Sequence, residues 1–192
     1  MCSSDLEILL LDEPLASLDA ILRTRFARLL RGLPARYGIT VVHVTHDPDE
    51  AMGLGHRVAI LLRGQIRQAG TPCDVYNAPV DLEVARTLGD PPINVARGGL
   101  MAEGGTFRFL PEGLGGGTGI GVPASSCVGA GEPRAAGVQL AVRPEDVRVV
   151  MDSAEGWMCE RVSDVFHGYE WRTEVRFGSC HWCLRQIGRA HV

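Results

Sequence analysis

A chain of 192 residues, 45% of them hydrophobic, is long enough for one ordinary domain or two small ones and apolar enough to bury a core, which excludes a disordered segment. Twenty-three acidic against nineteen basic residues leave a formal charge of −4, so nucleic acid finds no global attraction. There is no apolar run of the roughly 18 residues a bilayer demands, the opening MCSSDLE lacks the features of a signal peptide, and six scattered cysteines do not form a disulfide scaffold. The expectation is a cytoplasmic chain with reduced thiols.

In chain order, the first element is the run Ile8–Leu9–Leu10–Leu11, which stops on Asp12 and Glu13 and bends at Pro14. It reads as a buried strand delivering two acids to a sheet edge. Successive strand side chains point to opposite faces, so the two carboxylates divide their work: one can hold a cation while the other orients or deprotonates a water. The pair alone also fits the start of a turn in which Pro14 supplies φ. Leu22, Phe26, Leu29 and Leu30 then recur at helical spacing, which predicts an amphipathic helix from 20 to about 31, capped by Asp19 and interrupted by Gly32 and Pro34. Arg23, Arg25, Arg28 and Arg31 form its solvated face.

The β-branched run 39–44 is a second buried, parallel strand ending at Thr45–His46–Asp47. Asp47–Pro48–Asp49–Glu50 follows as a helix start, with a capping residue, a proline at the first position and an acid at the third. His46 therefore stands at a strand-to-helix switch, where sheet proteins present ligand-contacting groups. His43, inside the strand, reads as a packing histidine. Residues 57–62 make a third strand, Arg63–Gly64 turns it into a hairpin partner at 65–68, and Thr71–Pro72 and Asp81 each start a short helix.

The string LLLDEPLASLD resembles the Walker B motif and D-loop of ABC-transporter ATPases, and THDPDEAM, whose His46 comes 34 residues after Asp12, resembles their switch-histidine segment. With RVAILLRGQIRQAGTP and VYNAPVDLEVARTLGDPPIN the likeness covers residues 8 to about 95 and points to importers of the maltose and glycerol-phosphate type. Gly53, Gly55 and His56 depart from it, standing where the family more often has Leu-Ala-Asp. The resemblance implies that Asp12 holds Mg²⁺, that Glu13 polarises the attacking water, that His46 acts at the γ-phosphate of ATP, and that Ser17, Leu18 and Asp19 face a second ATP-binding subunit across the nucleotide. It further implies transmembrane permease subunits as partners, a peripheral place on the cytoplasmic face of the membrane, and import of a sugar or sugar-like phosphate.

Three family features are missing from these residues: a GxxxxGK[ST] phosphate loop, a glutamine loop and an LSGGQ-like signature. Carboxylates without a phosphate cradle repel ATP, so the 192-residue chain alone is expected neither to bind nor to hydrolyse MgATP. The alternative reading is a noncatalytic interaction module or an inactive remnant.

Asp90–Pro91–Pro92 marks a boundary, after which residues 98–137 are rich in glycine, including Gly115–Gly116–Gly117 and Gly119–Ile120–Gly121. No strand–GxGxxG–helix context frames them, so they read as a connecting loop. Residues 138–147 resemble the GIRPE segment of the TOBE domain, and 171–175 and 177–184 alternate as short strands. Cys180–His181–Trp182–Cys183 is a lone CxxC that Cys159, His167 or His191 could complete as a zinc site; in a strand its two thiols face opposite sides, and no zinc is expected. Trp157, Trp171 and Trp182 read as core residues, with no basic groove for base stacking. The fold expected is α/β: residues 1–95 the distal half of an ABC-type P-loop ATPase domain, and 96–192 a partial small β-barrel of TOBE or OB-like type with a Gly-rich loop at 113–121.

Overall fold

The computed structural model describes residues 6–103, 106–113, 119–123, 137–149 and 156–187. The Gly115–Gly117 run, Cys2, Cys127 and His191 lie outside them. The chain divides into two compact units, 1–89 and 90–192. Among the described residues no helix is long and apolar enough to cross a membrane.

The first unit runs β1 (Ile8–Asp12), α1 (Ala20–Tyr37), β2 (Thr40–Val44), α2 (Pro48–Leu54), β3 (Val58–Leu62), β4 (Gln65–Gly70), α3 (Pro72–Asn77) and α4 (Leu82–Thr87). β1 and β2 pair in parallel, Ile8 opposite Thr40 and Asp12 opposite Val44. A parallel pair needs a long crossover, which α1 supplies. The expectation that both strands are buried is corrected: Ile8, Leu10, Val42 and Val44 are exposed, Leu10 by 72%. Side chains alternate along both strands, and one crossover helix shields only one face of a two-stranded sheet.

α1 also differs from its sequence pattern. Asp19 Oδ1 accepts from the Ile21 and Leu22 N–H groups, each at 2.9 Å, as a cap should. The helix then continues through Gly32 and Pro34 to Tyr37. Pro34 lies in the last turn, so its missing N–H removes one bond while its carbonyl accepts from Gly38 N–H at 2.9 Å. Gly38, at φ 68°, closes the helix in the left-handed region that glycine enters without strain. The stripe of Leu22, Phe26 and Leu29 is exposed, and α1 buries no residue fully.

Elsewhere in this unit local chemistry and structure agree. Asp47 caps α2, Thr71 caps α3 and Asp81 caps α4. β3 and β4 form an antiparallel hairpin turning at Arg63 and Gly64, both at positive φ, as a two-residue turn requires. Val58 and Ile60 of β3 meet Val75, Val84 and Leu88 in the core, with Ala51 and Met52 of α2 against them.

The second unit holds β5 (Asn94–Glu103), β6 (Thr106–Pro111), β7 (Ile120–Val122), β8 (Val138–Val142), a 3₁₀ turn at Pro144–Asp146, β9 (Glu160–Phe166), β10 (Glu170–Phe177) and β11 (Cys180–Ile187). They form two antiparallel sheets, ordered β7-β6-β5-β8 and β11-β10-β9. Ala96, Leu100 and Phe109 of one sheet pack on Val175, Phe177, Trp182 and Leu184 of the other, with Trp157 stacked among them. The sheets are tied by Asn94, whose side-chain amide donates to Cys183 O and accepts from Cys183 N–H, both at 2.8 Å. Among the described residues these are two separate ladders, not one closed barrel. A Cβ at Gly98 would stand 2.1 Å from the Leu110 carbonyl oxygen, so only glycine fits that crossing of β5 and β6.

The CxxC is divided as strand alternation dictates: Cys180 packs against the core with Trp182, while Cys183 faces away, its thiol pKa raised by burial. Trp157 and Trp182 are core residues as expected. Trp171 is half-buried outside that cluster, its ring centroid 5.1 Å from that of Phe166, the residue opposite it on β9. Glu170, fully buried, receives both Arg172 Nε, at 3.0 Å, and Arg185 Nε, and Arg172 also grips Asp90 with two hydrogen bonds of 3.0 and 2.9 Å.

Candidate active site

The parallel register of β1 and β2 brings the first two candidate segments together. β1 ends level with Val44, and the next residue, Glu13, donates its N–H to Val44 O at 2.9 Å. Glu13 has φ 47°, a left-handed conformation uncommon outside glycine. Such strain persists where surrounding contacts enforce it, and it concentrates at functional sites. Here it turns the Glu13 side chain toward the end of β2, where Glu13 Oε1 accepts from His46 N–H at 3.1 Å and lies 2.8 Å from His46 Nδ1.

That contact gives the pair a defined electrostatic state. The Glu13 carboxylate, through its hydrogen bond and then its charge, raises the His46 pKa above the usual histidine value; Asp47 and Glu50 add smaller contributions. With Nδ1 donating to Glu13, Nε2 faces outward on a side chain that is 81% exposed. The ring can therefore meet an incoming group from solvent while its other nitrogen is anchored.

Asp12 stands apart from this pair. It is exposed at the end of β1, on the open face that carries Ile8 and Leu10, and its carboxylate makes no hydrogen bond among the described residues. Ser17 is exposed in the turn that follows buried Leu15. Asp19 is exposed too, but its carboxylate already accepts two N–H bonds from α1. The structure thus joins Glu13 to His46 and leaves Asp12, Ser17 and Asp19 separate from that contact. No cluster of three or more His, Cys, Asp or Glu able to cage a metal occurs among the described residues. A free single carboxylate such as Asp12 suits Mg²⁺, which is held by one or two carboxylates together with substrate phosphates.

Three nearby residues carry more than their sequence pattern suggested. Glu50, the acid at the third position of α2, does not close back on the Asp47 N–H; that N–H goes to Thr45 Oγ1 at 3.0 Å, and Glu50 Oε2 accepts from Thr45 Oγ1 at 2.9 Å. Arg23 leaves the solvated face of α1 and places Nε 3.9 Å from Glu50 Oε1. His43 is partly buried as a packing residue should be, yet its Nε2 lies 3.7 Å from Glu50 Oε2. Periodicity alone cannot show these contacts, because they join residues from three elements.

No family profile matches the chain. Individual proteins do. The chain is 43% identical over 145 residues to a xylose/arabinose import ATP-binding protein of Haloferax volcanii, covering 76% of this chain and 35% of that protein. It is 32% identical over 187 residues to a spermidine/putrescine import ATP-binding protein of Clostridioides difficile, covering 97% of this chain and 50% of the relative. A glycerol-3-phosphate import ATP-binding protein of Burkholderia lata is 40% identical over 138 residues, 72% of this chain and 37% of its own length. The chain therefore spans about half the length, or less, of the curated relatives it matches. Over most of its own length the chain is thus similar to the ATP-binding proteins of several import systems.

Proposed function

We propose that this chain supplies the water-activating part of an importer's ATPase site. The observation that carries the reading is the contact of Glu13 with His46, two residues 33 positions apart that the β1–β2 pairing brings to 2.8 Å. ATP and Mg²⁺ are the cofactors: the metal neutralises charge on the phosphates, and Asp12 is the residue suited to hold it. Glu13 orients and polarises the attacking water, and His46 meets the γ-phosphate through its exposed edge. Ser17 and Asp19 lie on the loop that faces a second ATP-binding subunit, with Asp19 also fixing the start of α1. Permease subunits in the membrane are the partners, and the subunit sits peripherally on the cytoplasmic face. A sugar or sugar-like phosphate is the cargo, a class represented among relatives that include sugar, glycerol-phosphate and polyamine importers. Residues 96–192 are then a partial TOBE-like domain, a reading supported by the 138–147 segment, where β8 leads into buried Arg143 and Pro144.

The chemistry of the phosphate cradle is not present in these residues. All nineteen basic side chains are arginine, so no lysine is available to reach the β- and γ-phosphates, and no GxxxxGK[ST] occurs. This favours the second reading, a noncatalytic module, for the 192-residue chain taken alone. Titration calorimetry of that chain with MgATP is expected to give no saturable heat up to about 1 mM; micromolar binding would contradict it. Joined in one polypeptide to a phosphate-loop and signature segment, the chain is expected to hydrolyse ATP, and Glu13→Gln to lower kcat by about 10²- to 10⁴-fold. Unchanged turnover in that variant would remove Glu13 from its role.

A further inference from the structure

We propose that Glu50 is a positioning residue of this site, its carboxylate tying the turn that carries His46 to the loop that carries Ser17 and Asp19. The inference rests on the roles given to Glu13 and His46 and adds the residues that hold them in register. A glutamate at the third position of a capped helix ordinarily reaches back to the N-cap N–H. Here Thr45 Oγ1 has taken that N–H, at 3.0 Å, and donates its own hydrogen to Glu50 Oε2 at 2.9 Å. Both chain neighbours of His46 are therefore held, Thr45 directly by Glu50 and Asp47 through the Thr45 hydroxyl. Asp47 Oδ1 closes the circuit by accepting from Glu50 N–H at 3.3 Å.

The other side of the carboxylate faces α1. Arg23 Nε stands 3.9 Å from Glu50 Oε1, and Arg23 Nη2 donates to Leu18 O at 3.4 Å, between Ser17 and Asp19. His43 Nε2 adds a second polar group, 3.7 Å from Glu50 Oε2. The Arg23 Nε and His43 Nε2 atoms are buried and have no hydrogen-bond partner among the described residues, so the carboxylate between them is the group that compensates their loss of water. Glu50 is 10% exposed, which makes this a shielded junction and not a surface pair. Its effect on chemistry passes through His46: a displacement of about 1 Å in a group that orients a reactant costs on the order of 10²-fold in rate.

The test is an NMR titration of the His46 ring in the 192-residue chain, which needs no nucleotide. The charged groups facing His46 are Glu13 at the end of β1 and Asp47 and Glu50 at the start of α2. Thr45→Val removes the hydroxyl and changes none of them. The expected result is that His46 titrates above its ordinary value in the parent, falls in Thr45→Val to the midpoint seen in Glu13→Gln, and recovers in Thr45→Ser. If Thr45→Val leaves the midpoint where it was while Glu13→Gln lowers it, the positioning role is overturned and the Glu13–His46 site stands. If Glu13→Gln also leaves it unmoved, the site itself is overturned. A second measurement addresses the α1 side: Glu50→Gln and Arg23→Met are each expected to speed amide exchange at Leu18 by about tenfold. Unchanged exchange in both would show that the loop is held without Glu50.

Discussion

Glu13 and Glu170 show how two carboxylates in one chain come to different uses. Glu13 is partly exposed, held in a left-handed backbone conformation, and anchors a histidine whose other edge is open to solvent. Glu170 is closed off. Burial alone would raise its pKa, but hydrogen bonds from Arg185 and Arg172 outweigh desolvation and hold it below the usual glutamate value. The folded state therefore prefers the ionised form. Its contribution to stability is full above the unfolded chain's value and is lost as pH falls through the lower folded value. Glu170→Ala leaves Arg172 and Arg185 facing each other across β10 and β11 without the shared anion. The expected loss is about 3 kcal/mol in urea unfolding of the second unit, the low end for a buried pair because both arginines keep some contact with water. The variant should also show a shallower decline in stability at low pH than the parent, with Asp90, likewise held low by Arg172, supplying part of what remains; an unchanged acid limb would assign the decline to other carboxylates.

At the scale of elements, α1 is where local rules and observed structure part. Gly32 and Pro34 read as a stop, yet the helix ends only at Gly38. The reason is position: a proline in the last turn forfeits one intrahelical bond, and the chain still has Gly38 available to close the helix in the left-handed region. Pro34→Ala restores an N–H for the Leu30 carbonyl and removes a ring clash. It is expected to stabilise the first unit by about 1 to 3 kcal/mol by thermal or urea unfolding. A loss of stability would show that proline's restriction of the unfolded chain dominates at this site.

For the molecule as a whole, burial is unevenly distributed. In the first unit the packed core lies around β3, α3 and α4, whereas the β1–β2 pair keeps one apolar face in solvent. Leu88 and Leu10 make the contrast measurable. Leu88 is 1% exposed, and Leu88→Ala is expected to cost about 2 to 5 kcal/mol. Leu10 is 72% exposed, and Leu10→Thr should change stability by no more than about 0.5 kcal/mol while reducing concentration-dependent light scattering. A large cost at Leu10 would mean that its face is covered in solution.

What the sequence determined by itself was local or contiguous. The caps at Asp19, Asp47, Thr71 and Asp81, the turn at Arg63–Gly64, and the motifs around Asp12–Glu13 and His46 all depend on residues within a few positions of one another. Tertiary structure decided which of these groups meet. The β1–β2 register joined Glu13 to His46 and left Asp12 on the open face, because strand alternation and the turn at Glu13 send adjacent acids in different directions. It also drew Arg23, His43 and Thr45 to Glu50, which no periodicity encodes. The leucine-rich first strand keeps Ile8 and Leu10 exposed for the same reason: an apolar run favours burial, but whether it is buried depends on what packs over each face.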